Sequence, residues 1–285
     1  QRSNHLSYLA IYFVMSYSDF AGANVLHFFI LPNFYNYFLL FMNIITLKSI
    51  DSTNQYLKNL IHIQDSLPNF LVVWTPQQTA GIGQYGTKWT SEPYQNLTFS
   101  VLFLPEHLDL KDAFLLNMLV PIAIMKVLEK LNIPNINIKW PNDILSQRYK
   151  IGGILIENTI QKTKIEKCII GIGLNLNQTN FDGLPKASSL KNLTGKDFEI
   201  EQVMKLIFSE LESNLSTLPQ QSFESVYTIY QKYLFQLNRV SVFRSCQEKN
   251  FSGIIRGVEP SGKLIVETEQ GIIKTFSLKE ITLLY

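Results

Sequence analysis

The sequence predicts a mixed α/β domain followed by a small antiparallel β-barrel, and three observations lead to this fold class. Helical and strand-like segments alternate up to about residue 236, and only short β runs separated by tight turns follow. The composition, 46% hydrophobic and 17% charged, is that of a folded globular protein. The 285 residues suffice for a large core and for one or two domains.

The elements of the first domain are predicted from hydrophobic spacing and turn residues. The strongest helix spans 112–131, where apolar residues recur at helical spacing and Pro121 predicts a kink. Strands at 151–157 and 167–176 are expected to form a hairpin through the polar turn at 162–164. The other predicted elements are strands at 43–49, 70–75, 97–104 and 137–140, and helices at 55–63, 201–215 and 223–233.

The second domain is predicted from short β runs separated by turn residues. Pro260-Ser261-Gly262 and Gln270-Gly271 supply two of the turns. Tightly turned strands at this spacing are typical of a small antiparallel barrel. We therefore expect domains at 42–236 and 237–285, the second with strands at 239–244, 251–258, 263–267 and 272–277.

Residues 1–41 form an apolar extension whose only charged side chains are Arg2 and Asp19. The stretch 25–47 approaches the length of a membrane span, but polar residues interrupt it, and it lacks the pattern of a secretory signal. We interpret the extension as upstream sequence and expect the natural domain to begin near Met42. An interfacial or targeting segment and a transmembrane anchor are the alternatives.

Net charge and cysteine usage limit the classes of partner. A net charge of +2 gives no reason to expect nucleic acid or a membrane. Cys168 and Cys246 have no CxxC spacing and lie in apolar, strand-like surroundings. They predict reduced core thiols rather than a metal site or a disulfide, so we expect a cytoplasmic protein.

The first candidate site is a glycine loop, in which Gly81, Gly83 and Gly86 match the pattern GxGxxG. A dinucleotide-binding fold needs a helix directly after this pattern, whereas here Pro93 favours an extended segment. A phosphate-binding GxxxxGK[ST] motif is absent from the sequence. The loop is therefore interpreted as a generic anion-binding loop, and a plain hairpin turn is the alternative.

The second candidate site is the segment Lys139-Trp140-Pro141-Asn142-Asp143, followed by Lys150 seven residues after the aspartate. Pro141 predicts a tight turn after a strand, which places Asn142 and Asp143 at the mouth of the sheet. Gly152 and Gly153 leave room for a ligand against the backbone. A cation, a carboxylate and a glycine platform so close together indicate a ligand site, although a solvated Lys/Asp surface pair is the alternative.

A third segment, GIGLNLN at 171–177, supplies a further glycine turn. Gly171 and Gly173 again clear space, and the amide of Asn175 could contact a phosphate or a metal. Taken alone, the segment is equally typical of a strand that tolerates glycines.

Together, these segments resemble the biotin–protein ligase family over residues 43–285. The resemblance implies that Lys150 contacts both substrates and that Trp89 stacks on adenine. The implied biotin contacts are Ser52, Thr53, Asn54, Gln78, Gly81, Gly83, Gln84, Lys150, Gly153 and Leu155. The implied contacts to ATP or the adenylate are Gly81, Gly83, Gly86, Trp89, Asn142, Lys150 and Asn175. The chain departs from the family at Ile82, where relatives commonly carry an arginine that would clamp phosphate.

The resemblance also implies a fold, a reaction and partners. The fold would be a catalytic domain similar to class II aminoacyl-tRNA synthetases with an SH3-like C-terminal barrel. Biotin and ATP would form biotinyl-5′-AMP, with Mg²⁺ arriving with ATP rather than on a protein cluster. A lysine of a biotin carboxyl carrier domain would then displace AMP. Lys150, Lys139 and Asp143 are the expected catalytic residues, with Asp143 steering the carrier lysine and helping to deprotonate it. The protein would be a monomer or a homodimer.

Three alternatives stay open at this point. A lipoate or octanoate ligase shares the scaffold, and a non-catalytic biotin-binding regulator would share the pocket. A DNA-binding repressor is disfavoured, because residues 1–41 hold one arginine and no lysine for a recognition helix.

Overall fold

The computed structural model describes residues 42–64 and 66–285. The interpretation of residues 1–41 lies outside these described residues. The described part contains two sheets that share one apolar core and a short two-stranded hairpin. None of the described helices combines the length and the apolar character needed to cross a membrane.

The first nine strands lie in the N-terminal part, and seven of them form one mixed sheet. They are β1 (Ile44–Thr46), β2 (Leu71–Thr75), β3 (Gly81–Ile82), β4 (Lys88–Trp89), β5 (Leu97–Phe103), β6 (Ile136–Lys139), β7 (Asp143–Ser146), β8 (Tyr149–Gln161) and β9 (Lys164–Leu174). The sheet order is β1-β2-β5-β9-β8-β7-β6. Only β1 and β2 are parallel, and the other neighbours are antiparallel. The prediction of a mixed α/β fold is therefore confirmed.

Helices cover both faces of this sheet. They are α1 (Thr53–Ile63), α2 (Phe114–Lys130), α3 (Leu190–Thr194), α4 (Ile200–Ser216) and α5 (Phe223–Tyr230). Alternate residues of β2 point to opposite faces, so that Val72 packs in the core under α2 and α4, and Val73 packs in the core under α1. Helix α2 lies between the sheet, α4 and α5 and is buried on every side from Met118 to Met125. This explains why its sequence is apolar all round rather than on one stripe.

The two longest strands, β8 and β9, form the predicted hairpin, which is longer at its turn end than expected. Lys162 closes the turn in a left-handed conformation with φ of 56°. Gly153 pairs with Gly173, and Leu155 pairs with Gly171. The glycines of two sequence motifs thus lie opposite one another at the centre of the sheet.

The C-terminal part is a five-stranded antiparallel sheet in the order β13-β12-β11-β10-β14. Its strands are β10 (Val240–Ser245), β11 (Asn250–Val258), β12 (Leu264–Thr268), β13 (Ile273–Phe276) and β14 (Ile281–Leu284). The last strand was not predicted. The indole nitrogen of Trp140 donates to the carbonyl of Gly262 at 3.0 Å, and Phe243 and Ile281 join the main core. The C-terminal sheet is therefore packed directly against the turn between β6 and β7 that contains Trp140.

Several predicted boundaries were wrong. The first strand is three residues long, and the predicted helix at 223–233 ends at Tyr230. The short strand β7, which begins at Asp143 and pairs with β6 on one side and β8 on the other, was not predicted. Two tight turns within a dozen residues leave too short an apolar run for spacing to reveal a strand there.

Candidate active site

A cavity of about 460 Å³ opens above the central strands of the mixed sheet. Its wall combines the start of α1, the glycine loop, the glycine-bearing part of β8 and β9, and residues of the C-terminal sheet. A pocket of this size suits a small organic ligand. Parts of the chain that are far apart in sequence therefore meet at one site.

One end of the cavity is polar because of how α1 begins. Ser52 caps the helix by accepting a hydrogen bond from the Gln55 amide, which exposes the first turn of α1 to the cavity. The backbone amide and the hydroxyl of Thr53 donate to Gln78 Oε1 at 2.9 and 3.1 Å. Thr53 and Gln78 are thus fixed against each other on the cavity wall.

Asn54 is oriented by groups that the sequence did not suggest. The buried Ser100 hydroxyl lies 2.6 Å from Asn54 Oδ1, which can only accept, so Ser100 donates to it. Asn54 Nδ2 donates to Glu157 at 2.7 Å, and Lys58 pairs with the other Glu157 oxygen at 2.5 Å. A Cβ atom on Gly171 would overlap Asn54, so the glycine is needed for this fit. Hydrogen bonds at Oδ1 and Nδ2, together with the close contact at Gly171, therefore fix the orientation of the Asn54 amide.

The other end of the cavity holds a carboxylate between two ammonium groups. Asp143 lies 2.5 Å from Lys150 Nζ and 3.0 Å from Lys139 Nζ. The register explains both contacts, because Lys139 pairs with Asp143 across β6 and β7, and Lys150 pairs across β7 and β8 with Leu145, two residues after Asp143. The three predicted catalytic residues therefore lie together.

The protonation state of Asp143 follows from two opposing effects. Burial alone would raise the pKa of the carboxyl, whose side chain is only 14% exposed. The charges of Lys150 and Lys139, together with their hydrogen bonds, outweigh burial and hold the pKa of Asp143 below its ordinary value of 3.8. Asp143 is ionised at neutral pH, and the cluster of three groups carries a net positive charge.

The glycine loop folds as a hairpin that presents Trp89 to the sheet. Gly81 pairs with Trp89 across β3 and β4, and a Cβ atom on Gly81 would lie 2.5 Å from the Trp89 carbonyl oxygen. The indole ring lies over the paired glycines Gly153 and Gly173. Its Nε1 is buried and has no hydrogen-bond partner among the described residues. The indole fits because β8 and β9 both carry glycine, and therefore no side chain, beneath it.

Replacing Gly173 with alanine is expected to displace the Trp89 indole. The new Cβ would lie 2.6 Å from two ring carbons, which forces the ring away and lowers ATP affinity by about tenfold if the ring stacks on adenine. The measurement is the KM for ATP in a double-mutant cycle with Trp89→Ala. In the Trp89→Ala background, Gly173→Ala should add little, and an equal added loss would contradict the explanation.

Gly153→Ala is a steric comparison for the indole position alone, because its Cβ would meet nothing closer than 3.6 Å. It should leave the indole where it is, as read from the part of the tryptophan fluorescence that Trp89→Ala removes, since the chain has three tryptophans.

Tyr285 is a further residue at the lysine end that the sequence did not suggest. Its ring lies under Lys139 and Lys186, with Nζ atoms 5.3 and 4.3 Å from the ring centroid, and packs edge-on against Phe235. Burial, and then the nearby carboxylate of Asp143, raise the pKa of the Tyr285 phenol. No motif or spacing marks this position.

The structure places most of the predicted site residues on the cavity wall. These are Ser52, Thr53, Asn54, Gln78, Gly83, Gln84, Trp89, Lys139, Asn142, Asp143, Lys150, Gly153 and Leu155. Gly81, Gly86 and Asn175 are not on the wall. Gly81 supports the hairpin, and Gly86 turns the loop with φ of 76°.

Asn175 has a different environment from the one expected. It is buried, and its amide donates to the carbonyl of Ser188 at 3.0 Å. It therefore holds the segment before α3 against the end of β9. A nucleotide contact for Asn175 stays a prediction that this arrangement does not support.

No group of three or more His, Cys, Asp or Glu side chains that could hold a metal ion occurs in 42–64 or 66–285.

The two cysteines have different environments. Cys168 is buried, which raises its pKa to about 12. Cys246 is exposed, so the prediction that both thiols lie in the core was wrong for Cys246. Exposure arises because Cys246 lies in the turn between β10 and β11.

Comparisons with known proteins agree with this geometry. The profile of the biotin/lipoate A/B protein ligase family matches residues 46–175. The bifunctional ligase/repressor BirA of Bacillus spizizenii is 28% identical over 75% of this chain, which spans 66% of that protein. The biotin–[acetyl-CoA-carboxylase] ligase of Paracoccus denitrificans is 26% identical over 79% of this chain and 94% of its own length.

A solved structure supports the same assignment. The biotin protein ligase of Aquifex aeolicus in complex with biotin and ATP has a TM-score of 0.70 and 28% identity, over 85% of this chain and 99% of that one. Residues 46–175 therefore form a domain of the biotin/lipoate A/B protein ligase family, and the Paracoccus and Aquifex proteins that this chain resembles over most of its length are biotin–protein ligases.

Proposed function

We propose that the chain is an ATP-dependent biotin–protein ligase that forms biotinyl-5′-AMP and transfers biotin to a lysine of a biotin carboxyl carrier domain. One observation carries this proposal. A single cavity has a hydrogen-bonding end at Thr53, Asn54 and Gln78, a glycine-lined floor, and the Lys150–Asp143–Lys139 cluster at its other end. The relatives named above support the same reaction.

The cavity matches the chemistry of biotin part by part. The urea head of biotin has both N–H donors and a carbonyl acceptor, which suit the polar end around Asn54. The aliphatic tail suits the floor at Leu155, beside the Trp89 indole that lies over Gly153, and the carboxylate would reach Lys150. The head of lipoate has no such groups and would leave the polar wall dehydrated and unpaired, so the structure favours biotin over the lipoate alternative.

In the first step, a carboxylate oxygen of biotin attacks the α-phosphorus of ATP. The bond from this phosphorus to the bridging oxygen breaks, and pyrophosphate leaves with the electron pair. Two anions have to approach each other, so the ammonium groups of Lys150 and Lys139 lower the barrier by offsetting charge. Gly83 and Gln84 present the loop to the phosphates, and Trp89 offers a ring face for adenine.

In the second step, the neutral amine of the carrier lysine attacks the carbonyl carbon of the mixed anhydride. The new C–N bond replaces the C–O bond to AMP, which leaves with its electron pair, and the attacking nitrogen loses its extra proton to water. Asp143 is the one carboxylate among the described residues that line the cavity, so it is suited to steer the incoming ammonium group once Lys150 has turned from it to the phosphate. Its lowered pKa makes it a weak proton acceptor, so of the two expected roles the structure supports steering and not deprotonation.

Mg²⁺ would supply further positive charge to the phosphates of bound ATP. Both carboxylate oxygens of Asp143 are taken by lysines, so this residue is poorly placed as a metal ligand. We propose that the metal is held by phosphate oxygens.

The finer assignments of fold and organisation belong to the same proposal. We propose a class II aminoacyl-tRNA synthetase-like catalytic domain at 42–236 and an SH3-like barrel at 237–285. The five-stranded antiparallel sheet is consistent with such a barrel. A cytoplasmic location, a monomeric or homodimeric state and the absence of nucleic acid partners also stay proposals.

The test is a transfer assay with the purified chain, ATP, a biotin carboxyl carrier domain and radiolabelled biotin or lipoate. We expect biotin to be incorporated only with ATP, with pyrophosphate and AMP as products. Transfer of lipoate in preference to biotin would support the lipoate alternative. Biotin binding without transfer would support a non-catalytic regulator.

A further inference from the structure

Lysines outnumber carboxylates on the described wall of the cavity. Among the described residues, four lysines and one aspartate line the cavity, which makes this wall cationic. Two of the lysines, Lys139 and Lys150, are paired with Asp143 at its inner end. The other two, Lys88 and Lys279, have no carboxylate within ion-pair distance in the described part of the chain. These two ammonium groups are available to an anionic ligand.

Lys279 comes from the C-terminal sheet and not from the glycine loop. It lies between β13 and β14, and its Nζ is 3.9 Å from the ring centroid of Tyr85 in the loop. Both residues adopt left-handed backbone conformations, with φ of 69° and 57°. A cation over an aromatic face is attracted to it but keeps its N–H groups available to a further acceptor. Tyr85 therefore holds Lys279 at the mouth of the cavity without neutralising it.

The loop itself supplies little charge. Between Gly81 and Trp89, Lys88 is the only charged residue, and its partner across β3 and β4 is the apolar Ile82, which is 48% exposed at the cavity mouth. A phosphate chain that reaches this part of the cavity would meet Lys88 and Lys279, since the inner lysines are paired with Asp143.

We propose that Lys279 binds the phosphate chain of ATP and that Tyr85 is its positioning residue. This inference rests on the proposed function, because it assigns a further nucleotide contact to the same cavity. It gives the C-terminal sheet a direct part in ATP binding and in stabilising the departing pyrophosphate.

The experiment measures ATP-dependent pyrophosphate exchange and, separately, the binding of biotin without ATP. Lys279→Ala is expected to raise the KM for ATP by about tenfold and to leave the Kd for biotin unchanged. Lys279→Arg should keep the KM near the wild-type value, since arginine also stacks on aromatic rings and binds phosphate. Tyr85→Phe should behave like wild type, because the ring and not the hydroxyl holds the lysine, whereas Tyr85→Ala should raise the KM for ATP.

Ile82→Arg in the Lys279→Ala background provides a second variant. An arginine at this exposed position of the same cavity mouth should restore part of the lost ATP affinity. Lys274→Ala is the matched control, because Lys274 is an exposed lysine of β13 that does not line the cavity.

Two results would overturn the inference. One is an unchanged KM for ATP in Lys279→Ala, and the other is an equal loss of biotin and ATP binding, which would indicate a purely structural contact. Failure of the proposed function is distinguishable, because the wild-type chain would then show no biotin-dependent exchange at all.

Discussion

Lys150→Ala is expected to lower the rate of biotinyl-adenylate formation by about 10²–10³-fold. Lys150 Nζ lies 2.5 Å from Asp143 and next to Gly153, at the end of the cavity where the carboxylate of biotin would meet the α-phosphate. The alanine variant leaves Lys139 as the only inner cation, and the approach of two anions would be poorly compensated. The measurement is biotin-dependent exchange of pyrophosphate into ATP.

Lys162→Ala is the control for general effects of removing a lysine, because Lys162 is an exposed residue in the turn between β8 and β9. It should exchange pyrophosphate like the wild type. Retention of wild-type exchange in Lys150→Ala would remove Lys150 from the proposed chemistry.

Asp143→Asn is expected to lower the rate of biotin transfer to the carrier by about 10²-fold, and to affect adenylation less. Asparagine keeps the shape of the side chain but loses the charge that attracts the incoming ammonium group. The measurement is single-turnover transfer from preformed biotinyl-AMP. The wild-type transfer rate should rise continuously above neutral pH, because the carrier lysine must lose its proton. A break near pH 7 that disappears in Asp143→Asn would instead identify Asp143 as a proton acceptor.

The same substitution also tests how much the charge of Asp143 stabilises the fold. The folded pKa of Asp143 is below 3.8, so its contribution to stability is present above that pH and is lost as the pH falls through the folded value. Asp143→Asn should cost about 2 kcal/mol of unfolding free energy at neutral pH, because two lysines lose their partner. The difference from wild type in urea unfolding should shrink towards about pH 3. A constant difference would mean that the charge of Asp143 does not stabilise the fold.

The lysine end of the cavity could be predicted from the sequence because it is built locally. Lys139, Asp143 and Lys150 lie on three consecutive strands joined by tight turns, so their spacing alone brings them together. The β8–β9 hairpin was predictable for the same reason.

The polar end and the mouth could not be predicted, because they depend on contacts between distant segments. Ser100 and Glu157 orient Asn54 from strands that follow it by 46 and 103 residues. Asn175 is a case in which a motif suggested a ligand contact that the fold does not provide. Its side-chain amide donates to the carbonyl of Ser188 instead. Tertiary packing decides which polar groups face a ligand, and the spacing of residues in the sequence carries no information about that packing.

The continuity of the core across both sheets has a thermodynamic consequence. Phe243, Val266 and Ile281 of the C-terminal sheet belong to the same apolar cluster as Leu116 and Ile172. Two parts that share one core are expected to unfold together, in one cooperative transition. By mass action, a nucleotide bound at the cavity would then protect the C-terminal strands from unfolding as much as the strands that carry Asp143 and Lys150.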